Sequence, residues 1–180
     1  MMRLMVISVA AGALLAACQP AAEEGAEKAP AAAAEADRTL AQALGGALKA
    51  TAENAGLGQV LEGAGPYTVL APTDAAFQTG GDALDLRDEA EKAPAAALVR
   101  GHLLPGALTR ADIEAALARQ SDGKAEVRTL DGGSVTFSRD GQGVLVTAAN
   151  GATARLTAQE TRASNGVIQP VDAVLVPKAG

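Results

Sequence analysis

Groups able to attack a substrate, carry a proton or bind a metal are few in this 180-residue chain, which has one histidine, His102, and one cysteine, Cys18. A Ser–His–acid arrangement would have to join His102 to one of the serines beyond the leader: Ser121, Ser134, Ser138 or Ser164. Ser164 lies beside a turn, but no spacing pairs it with His102, and there is no Gly-x-Ser-x-Gly elbow. Zinc sites take several Cys and His ligands, so most are excluded. No glycine-rich loop followed by Lys offers a phosphate cradle. Asp82, Asp85, Asp88 and Glu89 cluster and could hold Ca²⁺ loosely, without the alternating ligands and central glycine of a calcium loop. A solvated loop and helix start, where carboxylates favour the dipole, is the competing account. His102 itself has two readings: a partly buried imidazole bonded to a backbone carbonyl, or a ligand-binding or pH-sensing group. The expectation is no catalytic residue, no metal and no cofactor.

The chemistry at Cys18 is of another kind. Arg3 precedes an apolar or small-residue run, Leu4–Ala17, too short for a transmembrane helix of about 20 residues and suited to a secretory leader. Leu15-Ala16-Ala17-Cys18 resembles the lipobox of bacterial lipoproteins. The resemblance implies a leader over 1–17, thioether attachment of diacylglycerol to Cys18, and an anchor that does not span the membrane. Gln19 stands where an aspartate would favour inner-membrane retention, so the expected location is the cell envelope, at the outer membrane, facing the periplasm or the cell surface. Gln19–Ala36 contains no large apolar residue and cannot offset its ordering entropy, so 18–36 reads as a lipidated cysteine and a flexible tether.

A folded unit must follow. The net charge is −6 and aromatics are 2% of residues, which supplies neither a basic stripe for phosphates nor a stacking platform for bases; nucleic acid is excluded as a partner. Hydrophobic residues are 48% of the chain, but 44 of them are alanine, which limits the chain to one modest core. Leu40, Leu44 and Leu48 predict one helix weakened at Gly45-Gly46, and Leu57, Val60 and Leu61 a short second one. Residues 66–71 read as a strand, Thr73 or Asp74 as a helix cap with Phe77 turned inward. A helix opens at Pro94 and runs to about Leu103. Thr109 with Asp112 predicts a capping box for a helix carrying Ile113 and Leu117. After Gln120 the period becomes two. Asp131-Gly132, Asp140-Gly141 and Asn150-Gly151 predict hairpins between strands near 126–130, 134–138, 144–148 and 152–157. Asn165-Gly166 predicts a turn needing positive φ, and 167–176 a final strand interrupted at Pro170. Helices first and a meander afterwards make an α+β domain.

Three stretches carry a resemblance. Thr68-Val69-Leu70-Ala71-Pro72-Thr73-Asp74-Ala75-Ala76-Phe77 is similar to the first signature box of fasciclin domains. His102-Leu103-Leu104-Pro105-Gly106-Ala107-Leu108-Thr109 resembles their central histidine segment. Asn165-Gly166-Val167-Ile168 with Val171–Pro177 resembles their closing box. The resemblance implies a β-wedge flanked by helices, one fasciclin-like domain over 37–178, used for adhesion or for binding an unidentified protein or polysaccharide. Candidate binding or structural residues are Thr73, Asp74, Phe77, His102, Asn165 and Gly166. An alternative is a periplasm-facing lipoprotein that binds a small ligand in a cleft near His102. The chain departs from the family at three places. Gly101 stands where a tyrosine commonly precedes the histidine, and Gln169-Pro170 where the closing box often carries a histidine. Glu160-Thr161 replaces an Asp-Ile pair linked to integrin recognition, so that role does not carry over.

Overall fold

The computed structural model describes residues 37–79, 84, 86 and 88–176. Cys18 and its lipobox, the tether over 18–36, Asp82, Asp85 and Pro177 lie outside the described residues. The leucine period at Leu40, Leu44 and Leu48 yields two helices instead of one, α1 (Leu40–Ala43) and α2 (Gly46–Asn54). Gly46 makes the break with a φ of 65°, a conformation that costs an L side chain about 1–2 kcal/mol. All three leucines are buried on both sides of it. α3 (Gly58–Glu62), β1 (Tyr67–Pro72) and α4 (Asp74–Thr79) follow as the sequence predicts. A 3₁₀ turn at Glu89–Glu91 leads into α5 (Lys92–Gly101), with Pro94 in its first turn.

α5 stops earlier than its sequence pattern implies. His102 caps it, and Leu103–Pro105 becomes β2, antiparallel to β1 with Val69 opposite Leu103. The reason is that Leu103 and Leu104 are both fully buried in different cores, which only a strand's alternation allows. Thr109 caps α6 (Arg110–Arg119) through the expected box: its hydroxyl accepts from the Asp112 N–H at 3.1 Å, and Asp112 accepts from the Thr109 N–H at 3.1 Å. The Thr109 hydroxyl also donates to Asp112 Oδ2 at 2.6 Å, and this bond, followed by the one from the Thr109 N–H, holds the Asp112 carboxyl below its ordinary range.

The meander comprises β3 (Lys124–Arg128), β4 (Ser134–Arg139), β5 (Val144–Ala148) and β6 (Thr153–Arg155), all antiparallel in that order. Its three turns fall where the hairpin dipeptides place them. In each, the first residue's side-chain oxygen accepts the N–H two residues on: Asp131 from Gly133 at 3.0 Å, Asp140 from Gln142 at 3.0 Å, Asn150 from Ala152 at 2.9 Å. β3 sits two residues earlier than expected, because the first turn spans Thr129 to Gly133, closed by the Thr129 N–H on the Gly133 carbonyl at 3.0 Å. The other sheet has the order β2-β1-β8-β7, with β7 (Thr161–Ala163) and β8 (Gly166–Val171). β7 is too short to show in the sequence. β8 runs through Pro170, which pairs with Ala71 of parallel β1 and ends the strand at Val171, not Val176. β7 pairs only as far as Ile168; beyond it the Pro170 carbonyl accepts the Thr157 N–H at 2.9 Å, a contact that needs no N–H from the proline.

Alternation along β1, β2 and β8 divides the interior. Val69, Leu103 and Ile168 pack with the α1–α3 and α5 leucines, whereas Leu70, Leu104 and Val171 pack with Val135, Phe137 and Val146 of the meander and Ile113 and Leu117 of α6. One sheet is thus buried on both faces, between a helical layer and the second sheet. The sheets converge where the Leu130 N–H donates to the Leu103 carbonyl at 2.9 Å and where Leu156 bridges Val171. This is the expected α+β wedge. The segment after β8 seals it: Val174 joins Phe77 in the helix-side core, and Leu175 enters the meander-side core.

A β-carbon at Gly46 would overlap the Asp74 carboxylate, while at Gly45, extended at φ −130°, nothing lies within 4 Å. Gly46→Ala is therefore expected to lower the unfolding free energy by about 1–3 kcal/mol, and Gly45→Ala to stay within about 0.5 kcal/mol of the parent in urea titrations.

Candidate functional site

The residues singled out in the sequence fall into two buried junctions, two helix-capping contacts and one core side chain, Phe77. Asn165 occupies the two-residue turn between β7 and β8 and is buried. Its side-chain oxygen accepts the Leu40 N–H at 2.8 Å, at the start of α1. Its amide nitrogen donates to the Leu61 and Gly63 carbonyls at 2.9 and 2.7 Å, at the end of α3. Its backbone carbonyl accepts the Tyr67 N–H at 3.1 Å. Gly166 is glycine for a different reason from the one its turn position implies. Its backbone is nearly extended, and a β-carbon there would overlap the Tyr67 carbonyl oxygen and stand 2.8 Å from Leu40 Cδ1. Close approach of β8 to β1, not a left-handed turn, excludes any side chain.

His102 forms the second junction. The ring is 1% exposed. Nδ1 lies 2.8 Å from the Leu98 carbonyl, and Nε2 accepts the Leu175 N–H at 3.0 Å. A carbonyl can only accept and an N–H can only donate, so the neutral ring carries its proton on Nδ1. Burial is the main cause that brings its pKa down to about 4, against the opposing pull of the Leu98 bond and of Asp131. The His102 backbone carbonyl also accepts the Leu70 N–H at 2.8 Å. One residue thus joins α5, β1 and the C-terminal segment. Its two ring nitrogens are both engaged, so a small ligand would have to break one of these bonds, which removes the anchor of the cleft alternative.

Thr73 and Asp74 both cap, but not the same helix. Thr73 Oγ1 accepts the Ala76 N–H of its own helix α4 at 3.3 Å. Asp74 reaches across to accept the Ala47 N–H at 2.7 Å, at the N-terminus of α2, where a carboxylate also meets the helix dipole favourably. Phe77 is 7% exposed in the helix-side core.

The structure brings together two departures from the family pattern that the sequence left separate. Gln169, fully buried, donates its amide to Glu160 Oε2 at 3.1 Å and to the Leu108 carbonyl at 2.9 Å. Glu160 also accepts from the Arg110 N–H, which opens α6, and from Arg162 at 3.1–3.2 Å. The Arg110 guanidinium donates to Gln169 Oε1 at 3.3–3.4 Å and to the Ala158 carbonyl at 3.0 Å. Beside this cluster, buried Thr68 donates to the Gly106 carbonyl at 2.6 Å and accepts the Leu108 N–H at 2.7 Å. Thr68, Gln169 and Arg110 together fix the β2–α6 loop. Nothing in their spacing signals this, because their partners in the loop and on α6 lie 38 to 61 residues apart. Glu160 is held within the fold.

Ser164 Oγ donates to the Arg38 carbonyl at 3.2 Å, and His102 has no free nitrogen for it. Asp88 and Glu89 are exposed at the 3₁₀ turn before α5, and among the described residues no group of acidic, His or Cys side chains is placed to hold a metal. Two shallow hollows, of about 210 Å³ between α1, α2 and α3 and about 410 Å³ beside Lys124 and Arg139, are lined by none of the signature residues.

Asn165→Ala leaves three backbone groups of α1 and α3 unpaired and is expected to cost about 2–4 kcal/mol by urea denaturation. For His102, the unfolded chain gains a proton near pH 6.5 while the folded chain resists it until about 4. Stability is complete above about 6.5 and falls as the pH drops toward 4, by about 3 kcal/mol in total. His102→Phe is expected to remove the part of that slope between about pH 6.5 and 5, and to be less stable at neutral pH.

The chain matches the model of the Fasciclin domain over residues 46–177. It is 32% identical over 133 residues to Protein sll1483 of Synechocystis sp. (strain ATCC 27184 / PCC 6803 / Kazusa), across 72% of this chain and 66% of that protein. Its fold is similar to that of the FAS1 domain pair from the insect cell adhesion molecule fasciclin I, with a TM-score of 0.56 and 19% identity, across 72% of this chain and 43% of the pair. The chain thus spans just under two thirds of the bacterial relative and less than half of the insect pair. The three boxes, their order and the wedge they build agree with the family model: this chain belongs to the fasciclin domain family.

Proposed function

We propose that this protein is a lipid-anchored envelope protein whose fasciclin domain acts as a non-catalytic binding module for a protein or polysaccharide partner. The observation that carries this reading is the enclosure of His102. The chain's only histidine has both ring nitrogens bonded to its own backbone, so the one side chain suited to act as a base near neutral pH is committed to packing. A surface remains as the means of action. The adhesive role named for fasciclin I lends analogy to this reading.

Cys18 supplies the anchor in this proposal, with acyl chains contributing about 0.8 kcal/mol per buried methylene. The tether over 18–36 would then hold the domain off the headgroups, at the outer membrane on the strength of Gln19. Acidity disfavours nucleic acid as partner. Three strains test the reading: the parent, a deletion and Cys18→Ser. The parent alone is expected to incorporate a clickable fatty acid and to attach normally to surfaces or to other cells. Deletion is expected to reduce attachment, and Cys18→Ser to release the domain and reproduce that loss. Equal labelling of Cys18→Ser would contradict the anchor, and unchanged attachment across several surfaces in the deletion strain would contradict adhesion.

A further inference from the structure

We propose that the Asn150-Gly151 turn is a site of spontaneous deamidation, and that its conversion releases one of the two hydrogen bonds on the Leu175 backbone in the C-terminal segment. The chain holds two Asn-Gly dipeptides, and the structure treats them in opposite ways. Asn165 is buried and bonded through both side-chain heteroatoms to three backbone groups, and Gly166 is wedged against Tyr67 and Leu40. Asn150 is exposed at a hairpin tip between β5 and β6, and around Gly151, at φ 83°, nothing lies within 4 Å of a would-be β-carbon. Its side chain accepts the Ala152 N–H and donates one bond of 3.2 Å, to the Leu175 carbonyl.

The step needs only water. The Gly151 backbone nitrogen attacks Asn150 Cγ, forming an N–Cγ bond as the Cγ–Nδ2 bond breaks, and ammonia departs with the former Gly151 amide proton. Water then opens the cyclic imide at either carbonyl, leaving aspartate or isoaspartate with no change in oxidation state. Glycine matters because no side chain crowds the attacking nitrogen. The open tip lets the two residues turn into position, whereas at Asn165 three bonds and two packed neighbours must first give way.

The product bears on the core. Leu175 is gripped from both sides, its N–H by His102 Nε2 at 3.0 Å and its carbonyl by Asn150 Nδ2. A carboxylate at position 150 has no proton to donate and faces the carbonyl oxygen unfavourably. The isoaspartyl form also lengthens the main chain inside a turn closed by the Ala148 N–H on the Ala152 carbonyl. The Leu175 backbone would then keep only its bond to His102, beside the burial of its side chain.

The test uses the purified full-length chain, incubated at mildly alkaline pH below its melting temperature and mapped by mass spectrometry, with a parallel sample in denaturant. In the folded protein Asn150 is expected to convert roughly tenfold or more faster than Asn165, since conversion at Asn165 waits on opening of the fold, and in denaturant the two rates should converge. Gly151→Ala should slow conversion at Asn150 in both samples. Equal folded-state rates, or conversion at Asn165 first, would overturn the site. Asn150→Asp reads the consequence separately: a lower Tm is expected, and an unchanged Tm would overturn the claim that the turn grips the C-terminal segment.

Discussion

A buried side-chain amide is tolerated in a protein interior only when its hydrogen-bonding positions are met. Asn165 meets its own with three backbone groups from helices that begin and end far away in sequence. Those helices are too short to be stable alone: α1 has four residues and α3 five, well below the dozen or so an isolated helix requires. Their ends carry N–H and C=O groups that need partners, and Asn165 supplies them from the turn that starts β8. A single amide thus ties the helical layer to the central sheet, beside the packing of Leu40, Leu48 and Leu61 against Val69 and Ile168. Gly166 follows because a turn pressed this closely on Tyr67 leaves no space for a β-carbon.

His102 performs the same service at the other end. Its ring closes the last turn of α5 and receives Leu175, while its carbonyl takes Leu70 of the central strand. The C-terminal segment has no strand neighbour over Val174 and Leu175 and depends on that ring, on Asn150 and on burial in two separate cores. The residues that make the family recognisable in this chain therefore hold helices to sheet and sheet to tail. Differences at Glu160 and Gln169 do not open a site either. They bond to each other and to Arg110, and so seat the start of α6.

Local chemistry was legible in the sequence wherever the partners are near neighbours. The Thr109–Asp112 capping box, the three hairpin turns and the Phe77 helix each lie within a few residues and form where the pattern places them. Contacts set by distant partners were not legible. Asp74 caps α2 across 27 residues, Asn165 meets Leu40 across 125, and β2 exists because Leu103 and Leu104 must face opposite cores. Pro170 misled for the same reason, since only the fold shows β7 stopping short of it and Thr157 donating to its carbonyl.

The central claim, that these motifs are the joints of the fold, is tested most directly by native-state hydrogen exchange at Leu40, Leu70 and Leu175. Their amides donate to Asn165, to the His102 carbonyl and to the His102 ring in turn. If the joints hold the body together, all three should exchange only through global unfolding and report one common free energy. Exchange of Leu40 or Leu175 through low-energy local opening, with Leu70 still protected, would contradict it.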